Sequence, residues 1–100
     1  MPKGYVLLTE AIEDPEGMAA YERASVPTLI QGGAAILAVD DSPRLLEGEW
    51  HGTRTILLEF PSVEAARAWY ESPEYAEAKP LRQAAATSNA VLLTGFEMPS

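Results

Sequence analysis

The segment Glu59–Arg82, EFPSVEAARAWYESPEYAEAKPLR, decides the fold because it contains the start signals of two consecutive helices. Ser62 is predicted to cap the first helix, which should end near Glu71. Ser72-Pro73-Glu74 then repeats a cap, a proline and an acid in the order typical of a helix start. Pro80 should disrupt this second helix, because proline cannot donate a hydrogen bond to the preceding turn.

Four segments around these helices are predicted to be strands, because each contains consecutive apolar or β-branched residues. The predicted strands are Gly4–Ile12, Ala34–Val39, Thr53–Phe60 and Ala90–Glu97. Leu45–Glu49 should extend the second strand or form a short one of its own. Trp50–Gly52 and Thr87–Asn89 are predicted to be loops.

A further helix is predicted between the first two strands. It should begin at Asp14-Pro15-Glu16 and end at Gln31-Gly32-Gly33, which carry the signals of a helix start and stop. Pro27 lies inside this span and predicts a kink or a break near Ser25. The spacing of apolar residues predicts an inward stripe made of Met18, Tyr21 and Leu29.

The element order β-α-β-β-α-β predicts an α+β ferredoxin-like sandwich, a four-stranded antiparallel sheet with helices on one face. The whole chain, residues 1–100, is expected to form one domain. All four predicted strands are apolar on both faces, yet no helix remains to cover the second face. The sequence therefore predicts a homodimer in which two copies pack sheet to sheet.

Composition excludes several kinds of chemistry. The chain contains no cysteine and a single histidine, His51, so thiolate catalysis, disulfides and a two-histidine metal site within one chain are excluded. The formal net charge of −8 opposes binding to nucleic acid or to anionic membranes. No phosphate loop, nucleophile elbow or metal motif is present, so the prediction is no cofactor and no metal. A cytoplasmic location is predicted because no signal-peptide or membrane-spanning pattern occurs.

Several motifs in fixed order resemble the DUF1330 family of the dimeric α/β-barrel superfamily, over the span from Lys3 to Gly95. The most specific motifs are Gly32-Gly33, Leu46-Glu47-Gly48-Glu49-Trp50, Arg54, Glu59-Phe60-Pro61-Ser62, Trp69-Tyr70-Glu71-Ser72-Pro73-Glu74-Tyr75 and Arg82. The resemblance implies a dimer in which two four-stranded sheets face each other with the helices outside. It implies no activity, because the superfamily includes cofactor-free monooxygenases, lactone isomerases and heme enzymes.

Six side chains are candidates for ligand binding, and none is assigned a catalytic role. They are Tyr5, Tyr21, His51, Arg54, Trp69 and Tyr75. The aromatic residues could line a pocket for a planar ligand or could simply form the core. Arg54 could hold a carboxylate or could pair with Glu47 or Glu49. His51 could be a general base or an exposed loop residue.

Charged residues outside this set carry similar alternatives. Glu59 could act as a base, or it could pair with an arginine at a dimer interface. Lys79 and Arg82 could form a basic rim, or they could pair with nearby glutamates at helical spacing. Two functions remain open from sequence. One is an enzyme or binder of a small aromatic, lactone or carboxylate metabolite in a pocket between helices and sheet, and the other is a non-catalytic dimeric binding or structural module.

Overall fold

The computed structural model describes residues 2–99, so Met1 and Ser100 lie outside it. Strands and helices follow one another as the sequence predicts, with the second helical region divided into two helices. The elements are β1 (Gly4–Ile12), α1 (Pro15–Gln31), β2 (Ala35–Asp40), β3 (Arg54–Phe60), α2 (Val63–Tyr70), α3 (Pro73–Ala85) and β4 (Ala86–Thr94). The ferredoxin-like α+β fold is therefore confirmed.

The four strands form one antiparallel sheet in the order β2-β3-β1-β4. β1 and β3 are central, and β2 and β4 are the two edges. In the centre of the sheet Leu8 lies opposite Ile56 on one side and Ala90 on the other. The pairing of β2 with β3 shifts between Ile36 and Ala38, so the edge strand contains a bulge at this point.

The two faces of the sheet differ in how they are covered. Side chains alternate along a strand, and the even-numbered residues of β1 point toward the helices. Val6 and Leu8 are 3% and 2% exposed there. On the opposite face, which we call the open face, Val91 and Leu93 remain 49% and 45% exposed. The open face comprises Tyr5, Leu7, Leu57, Val91 and Leu93 at its apolar centre.

Each helix begins at the residue that the sequence predicts. The side chains of Asp14, Ser62 and Ser72 each accept a hydrogen bond from the backbone amide three residues later, at 3.1, 3.0 and 3.1 Å. Such caps satisfy amides that have no partner within the helix. The stop of α1 is also confirmed, because Gly33 adopts a φ of 77° that residues with a side chain rarely reach.

Neither internal proline ends its helix. α1 continues through Pro27 to Gln31, and α3 continues through Pro80 to Ala85, so a break near Ser25 and the disruption predicted at Pro80 are wrong, while a kink near Ser25 stays a prediction. Both prolines lie on exposed surfaces, where the carbonyl groups that lose a partner remain open to water. Burial of the opposite helix faces holds each helix together.

Two loop assignments also differ from the prediction. Residues 45–49 form no strand, since β2 ends at Asp40 and β3 begins at Arg54, and Leu46 is 89% exposed. Residues 87–89 are not a loop but the start of β4, and they pair with β1. The Asn89 side chain donates to Thr9 Oγ1 at 3.1 Å across this pairing. The polar composition that suggests a turn here instead serves cross-strand contacts.

Candidate functional site

A cleft opens between α1 and the strands β2 and β3 on the helix side of the sheet. Its volume is about 320 Å³. Its walls are mainly apolar, and their apolar residues are Leu8, Val26, Leu29, Ile36, Val39, Ile56, Leu58 and Trp69. Tyr21, Glu22, Ser25 and Arg54 add polar atoms. An apolar concavity with a few polar groups is the usual form of a small-molecule site.

The floor of the cleft is built on packed aromatic rings. Trp69 lies against Tyr75 with ring centroids 4.1 Å apart, and against Phe60 at 5.4 Å. Its indole Nε1 donates to Thr28 Oγ1 at 2.9 Å, which fixes the orientation of the ring. Trp69 is only 3% exposed, so it is a core residue whose edge lines the cleft.

A pair of tyrosine hydroxyls lies beside the cleft. Tyr21 Oη and Tyr75 Oη are 2.8 Å apart, and both side chains are buried. Burial raises the pKa of Tyr21 well above its usual value, and the neighbouring Tyr75 raises it further. The Tyr21 hydroxyl therefore stays protonated at neutral pH and acts as a hydrogen-bonding group.

Arg82 lies under these tyrosines and not on an exposed rim. It is 3% exposed, and its Nη1 donates to Ser88 Oγ. Burial lowers the pKa of Arg82, but its interactions with Tyr75 outweigh this, so the net pKa is raised and the side chain stays cationic. Arg82 therefore fits neither alternative from the sequence, the basic rim or the pairing with nearby glutamates. Lys79 instead lies over the ring of Tyr70, with Nζ 4.4 Å from the ring centroid.

Glu10 is the site residue that the sequence reasoning missed. Its side chain is fully buried, and among residues 2–99 no donor lies within hydrogen-bond distance of either carboxylate oxygen. Burial raises its pKa, while the cations of Arg54 and Arg82 oppose that rise. The available signal was parity, since Val6, Leu8 and Glu10 share one face of β1 and that face is covered.

Arg54 stands at the rim of the cleft between two carboxylates. Its Nη1 lies 2.5 Å from Glu22 Oε1, and its Nε lies 2.6 Å from Asp41 Oδ1. The predicted pairing with Glu47 or Glu49 is therefore replaced by contacts to α1 and to the loop after β2. These two bonds raise the pKa of Arg54 even though its partial burial lowers it.

Two of the predicted candidates lie away from this cleft. Tyr5 is on the open face, where its hydroxyl donates to Glu59 Oε2 at 3.1 Å. Glu59 also binds Lys3 at 3.1 Å, so its partner within the chain is a lysine and not an arginine. His51 is exposed in the loop before β3, with its ring centroid 5.5 Å from that of Trp50. The structure thus brings together Tyr21, Arg54, Trp69 and Tyr75.

Between Pro2 and Pro99, no group of three or more histidine or acidic side chains has the arrangement of a metal site. No helix within those bounds combines the length and apolar character needed to cross a bilayer.

Solved structures with this fold include proteins of unknown and of stated activity. RPA0582, a protein of unknown function from Rhodopseudomonas palustris, is 25% identical with a TM-score of 0.76, over 97% of this chain and 85% of that chain. SnoaB, a cofactor-independent oxygenase from Streptomyces nogalater, is 11% identical with a TM-score of 0.68, over 98% and 97% of the two chains.

A dimeric ferredoxin-like protein of unknown function from Jannaschia sp. CCS1 is 16% identical with a TM-score of 0.69, over 91% of this chain and 97% of that chain. No curated protein matches this sequence. The family described as "Domain of unknown function (DUF1330)" matches residues 3–96, which is nearly the full length. The chain therefore belongs to the DUF1330 family.

Proposed function

We propose that this protein binds a small, neutral, largely apolar molecule such as an aromatic ketone or a lactone in the cleft between α1 and the sheet. The observation that carries this proposal is the apolar cleft of about 320 Å³ that reaches both Tyr21 and Arg54. Its volume falls within the lower range of small-molecule sites, which span about 300–1,000 Å³.

The charges at the rim favour a neutral ligand over a carboxylate. Arg54 is the cation that faces the cleft, and its Nη1 and Nε already donate to Glu22 and Asp41. The three side chains together carry a net charge of −1, from one positive and two negative groups. A ligand carboxylate bound to Arg54 would lie close to these two negative charges, which would repel it. A neutral carbonyl or ether oxygen meets no such opposition.

We also propose that the protein is a homodimer whose open faces pack against each other. Val91 and Leu93 of the edge strand β4 are apolar, yet both are nearly half exposed. An apolar sheet face of this kind is covered in most stable proteins. The similar protein from Jannaschia is described as dimeric, which supports a homodimer.

Light scattering coupled to size-exclusion chromatography tests the dimer. The wild-type protein should elute as a dimer at micromolar concentration, and Leu93→Asp should shift it toward monomer because a buried charge opposes the interface. Leu46→Asp, which changes an exposed loop leucine, is the matched control and should leave the dimer intact. A wild-type monomer would contradict the proposal.

The ligand proposal can be tested with the fluorescence of Trp69, using β-tetralone as a neutral aromatic ketone and naphthoate as its anionic counterpart. In a Trp50→Phe background the signal comes from Trp69 alone, since the chain has two tryptophans. We expect β-tetralone to change the emission saturably and naphthoate to bind more weakly. If neither β-tetralone nor naphthoate gives a saturable response, the proposal is contradicted.

A pair of variants locates that binding on the molecule. Val26 lines the cleft, whereas Ile30, one turn further along α1, does not and is 75% exposed. Val26→Phe should weaken binding of β-tetralone by about tenfold, equivalent to 1.4 kcal/mol, because the larger ring fills the cleft. Ile30→Phe should leave the affinity unchanged. Equal effects of the two substitutions would place the ligand elsewhere.

The alternative, a non-catalytic dimeric module, rests on a different observation. The 4.1 Å contact between Trp69 and Tyr75 shows that these aromatics are packed as core. Under this alternative the open face is the functional surface, and the cleft is incidental. A dimer that binds neither β-tetralone nor naphthoate would favour it.

A further inference from the structure

The edge strand β4 lacks the features that usually protect a sheet edge from pairing with another strand. Its nine residues include no charged side chain and no proline, and they pair with β1 without a register shift. Edge strands of stable proteins are normally blunted by charges, prolines, bulges or a covering segment. The other edge, β2, is shorter and contains a bulge. β4 is therefore the edge that can accept a regular strand.

A groove runs beside this edge on the helix side of the sheet, between α2 and β4. Its volume is about 220 Å³, and its apolar walls include Val6 and Ala66. On β4 the groove is bounded by Ala90, Val91 and Leu92, so Val91 lies at its midpoint. Leu92 lies opposite the buried Val6 but is 38% exposed, because β4 is the last strand on this side of the sheet. The groove and the unpaired edge form one continuous surface.

Two opposite charges of the second helical region line this groove, Arg67 and Glu71. Both side chains are exposed, and neither forms an ion pair with any residue between Pro2 and Pro99. They are four residues apart, which separates them by about 6 Å along the helix axis. A two-fold axis midway between them places each charge near the opposite charge of a second copy. The groove is therefore self-complementary in charge.

We propose that β4 binds a second copy of this chain edge to edge, with the two β4 strands antiparallel about a two-fold axis at Val91. This register places the large Leu92 opposite the small Ala90 of the second copy, both on the helix side. Above the paired strands, Arg67 of each copy faces Glu71 of the other. A strand from an unrelated protein would need a cation and an acid at matching spacing, whereas a second copy supplies both by symmetry.

This contact is distinct from the proposed packing of the open faces and from the ligand cleft. Two open-face dimers that join through β4 form a tetramer, and a monomer that joins through β4 forms a dimer. The contact involves one strand and one short helix of each copy, and small interfaces of this kind are weak. We therefore expect edge pairing well above the micromolar concentrations at which the open-face dimer is expected.

Light scattering from micromolar protein up to about 1 mM tests the association. The mass of the wild type should rise toward twice its micromolar value. Leu92→Lys places a charge on the open edge and should abolish this rise while the micromolar mass stays unchanged. The matched control is Val39→Lys on the opposite edge strand, where Val39 is 55% exposed, and its mass should rise as in the wild type. A constant wild-type mass, or equal loss of the rise in both variants, overturns the proposal.

Disulfide crosslinking tests the register, because the chain contains no native cysteine. Ala90→Cys and Leu92→Cys proteins are mixed and oxidised at high concentration. Their Cβ atoms should lie about 4.5–5.5 Å apart across the paired strands, whereas either variant alone has diagonal cysteines about 7–8 Å apart. The mixture should therefore crosslink at least several-fold more than either variant alone.

Open-face packing cannot produce the mixed disulfide, because residues 90 and 92 lie opposite Leu8 and Val6 on the helix side. A mass that doubles without a mixed disulfide places the contact elsewhere and overturns the proposal. Crosslinking of either variant alone to the same extent as the mixture overturns it as well. Should Leu92→Lys fail to fold, the crosslinking result decides.

Discussion

The helix-covered face of the sheet has two ends of opposite character, although the same strands build both. At one end, which we call the apolar end, Val6 pairs with Leu58 and Phe60 follows under Trp69. At the other, the polar end, Glu10 lies between Arg54 and Ser88. Glu10 is as fully buried as the apolar residues at the first end, whereas Arg54 and Ser88 beside it are only partly buried.

The comparison separates residues that stabilise the fold from residues that the fold tolerates. Apolar side chains at the first end contribute free energy in proportion to the surface they bury. The carboxylate of Glu10 at the second end has no hydrogen-bond donor among residues 2–99, and its burial opposes folding. A polar cluster kept next to a cleft at such a cost is typical of functional sites. Three substitutions can break or sharpen this contrast.

The largest effect is expected at the apolar end. Phe60 is 1% exposed and packs against Trp69, so Phe60→Ala should lower the free energy of unfolding by about 3–5 kcal/mol. Urea denaturation monitored by circular dichroism measures the change. The control is Phe96→Ala, since Phe96 is 81% exposed beyond β4 and should alter stability little. Similar losses of unfolding free energy in Phe60→Ala and Phe96→Ala would refute the assignment of the core to the apolar end.

At the polar end we expect a substitution to change the free energy of unfolding by an intermediate amount and in the opposite direction. Because burial raises the pKa of Glu10, the folded state holds its proton more tightly than the unfolded state. The contribution of Glu10 is therefore fully favourable below the unfolded pKa and is lost as pH rises through the folded pKa. Glu10→Gln, which resembles the protonated acid, should match wild type at acidic pH and exceed it at neutral pH, by up to about 1–3 kcal/mol.

Urea denaturation at a series of pH values tests this sign. Glu77→Gln, at an exposed position of α3, is the control, and its stability should follow that of the wild type at each pH. A Glu10→Gln protein that is less stable than wild type at neutral pH would show that the carboxylate has a stabilising partner. In that case both ends of the face would contribute to stability with the same sign.

The smallest effect is expected at the rim of the cleft. Asp41 is 73% exposed in its side chain, so its ion pair with Arg54 is largely in water. Asp41→Asn should change the free energy of unfolding by no more than about 1 kcal/mol. It should nevertheless tighten binding of naphthoate, because the net charge of the rim rises from −1 to 0. Unchanged naphthoate binding would show that the rim charge does not select ligands.

Sequence alone predicted the fold well where local signals decide it. The caps at Asp14, Ser62 and Ser72 are side-chain contacts within three residues, so their chemistry is visible in the sequence. The errors arose where distant contacts override local preference. Pro80 does not break α3 because the buried side of that helix packs on the core, and Ser88 joins a strand because β1 lies beside it.

The candidate site was harder to predict for a related reason. Tyr21, Arg54, Trp69 and Tyr75 were identified from residue type, and the structure brings them together. Glu10 resembles any solvated glutamate at the end of a strand until its neighbours are known. Parity places Glu10 on the covered face of β1, but its full burial also depends on residues of α1 and α3 that lie near this strand end, and no local pattern encodes that approach.

The bulge in β2 has a consequence for how copies of this protein can associate. An exposed edge strand offers unpaired amides and carbonyls to the strands of other molecules. The register shift between Ile36 and Ala38 changes the hydrogen-bonding register of this edge on the two sides of the bulge. A straight incoming strand can therefore form hydrogen bonds in register with only one side. Uncontrolled sheet extension into fibrillar aggregates is thereby discouraged along this side.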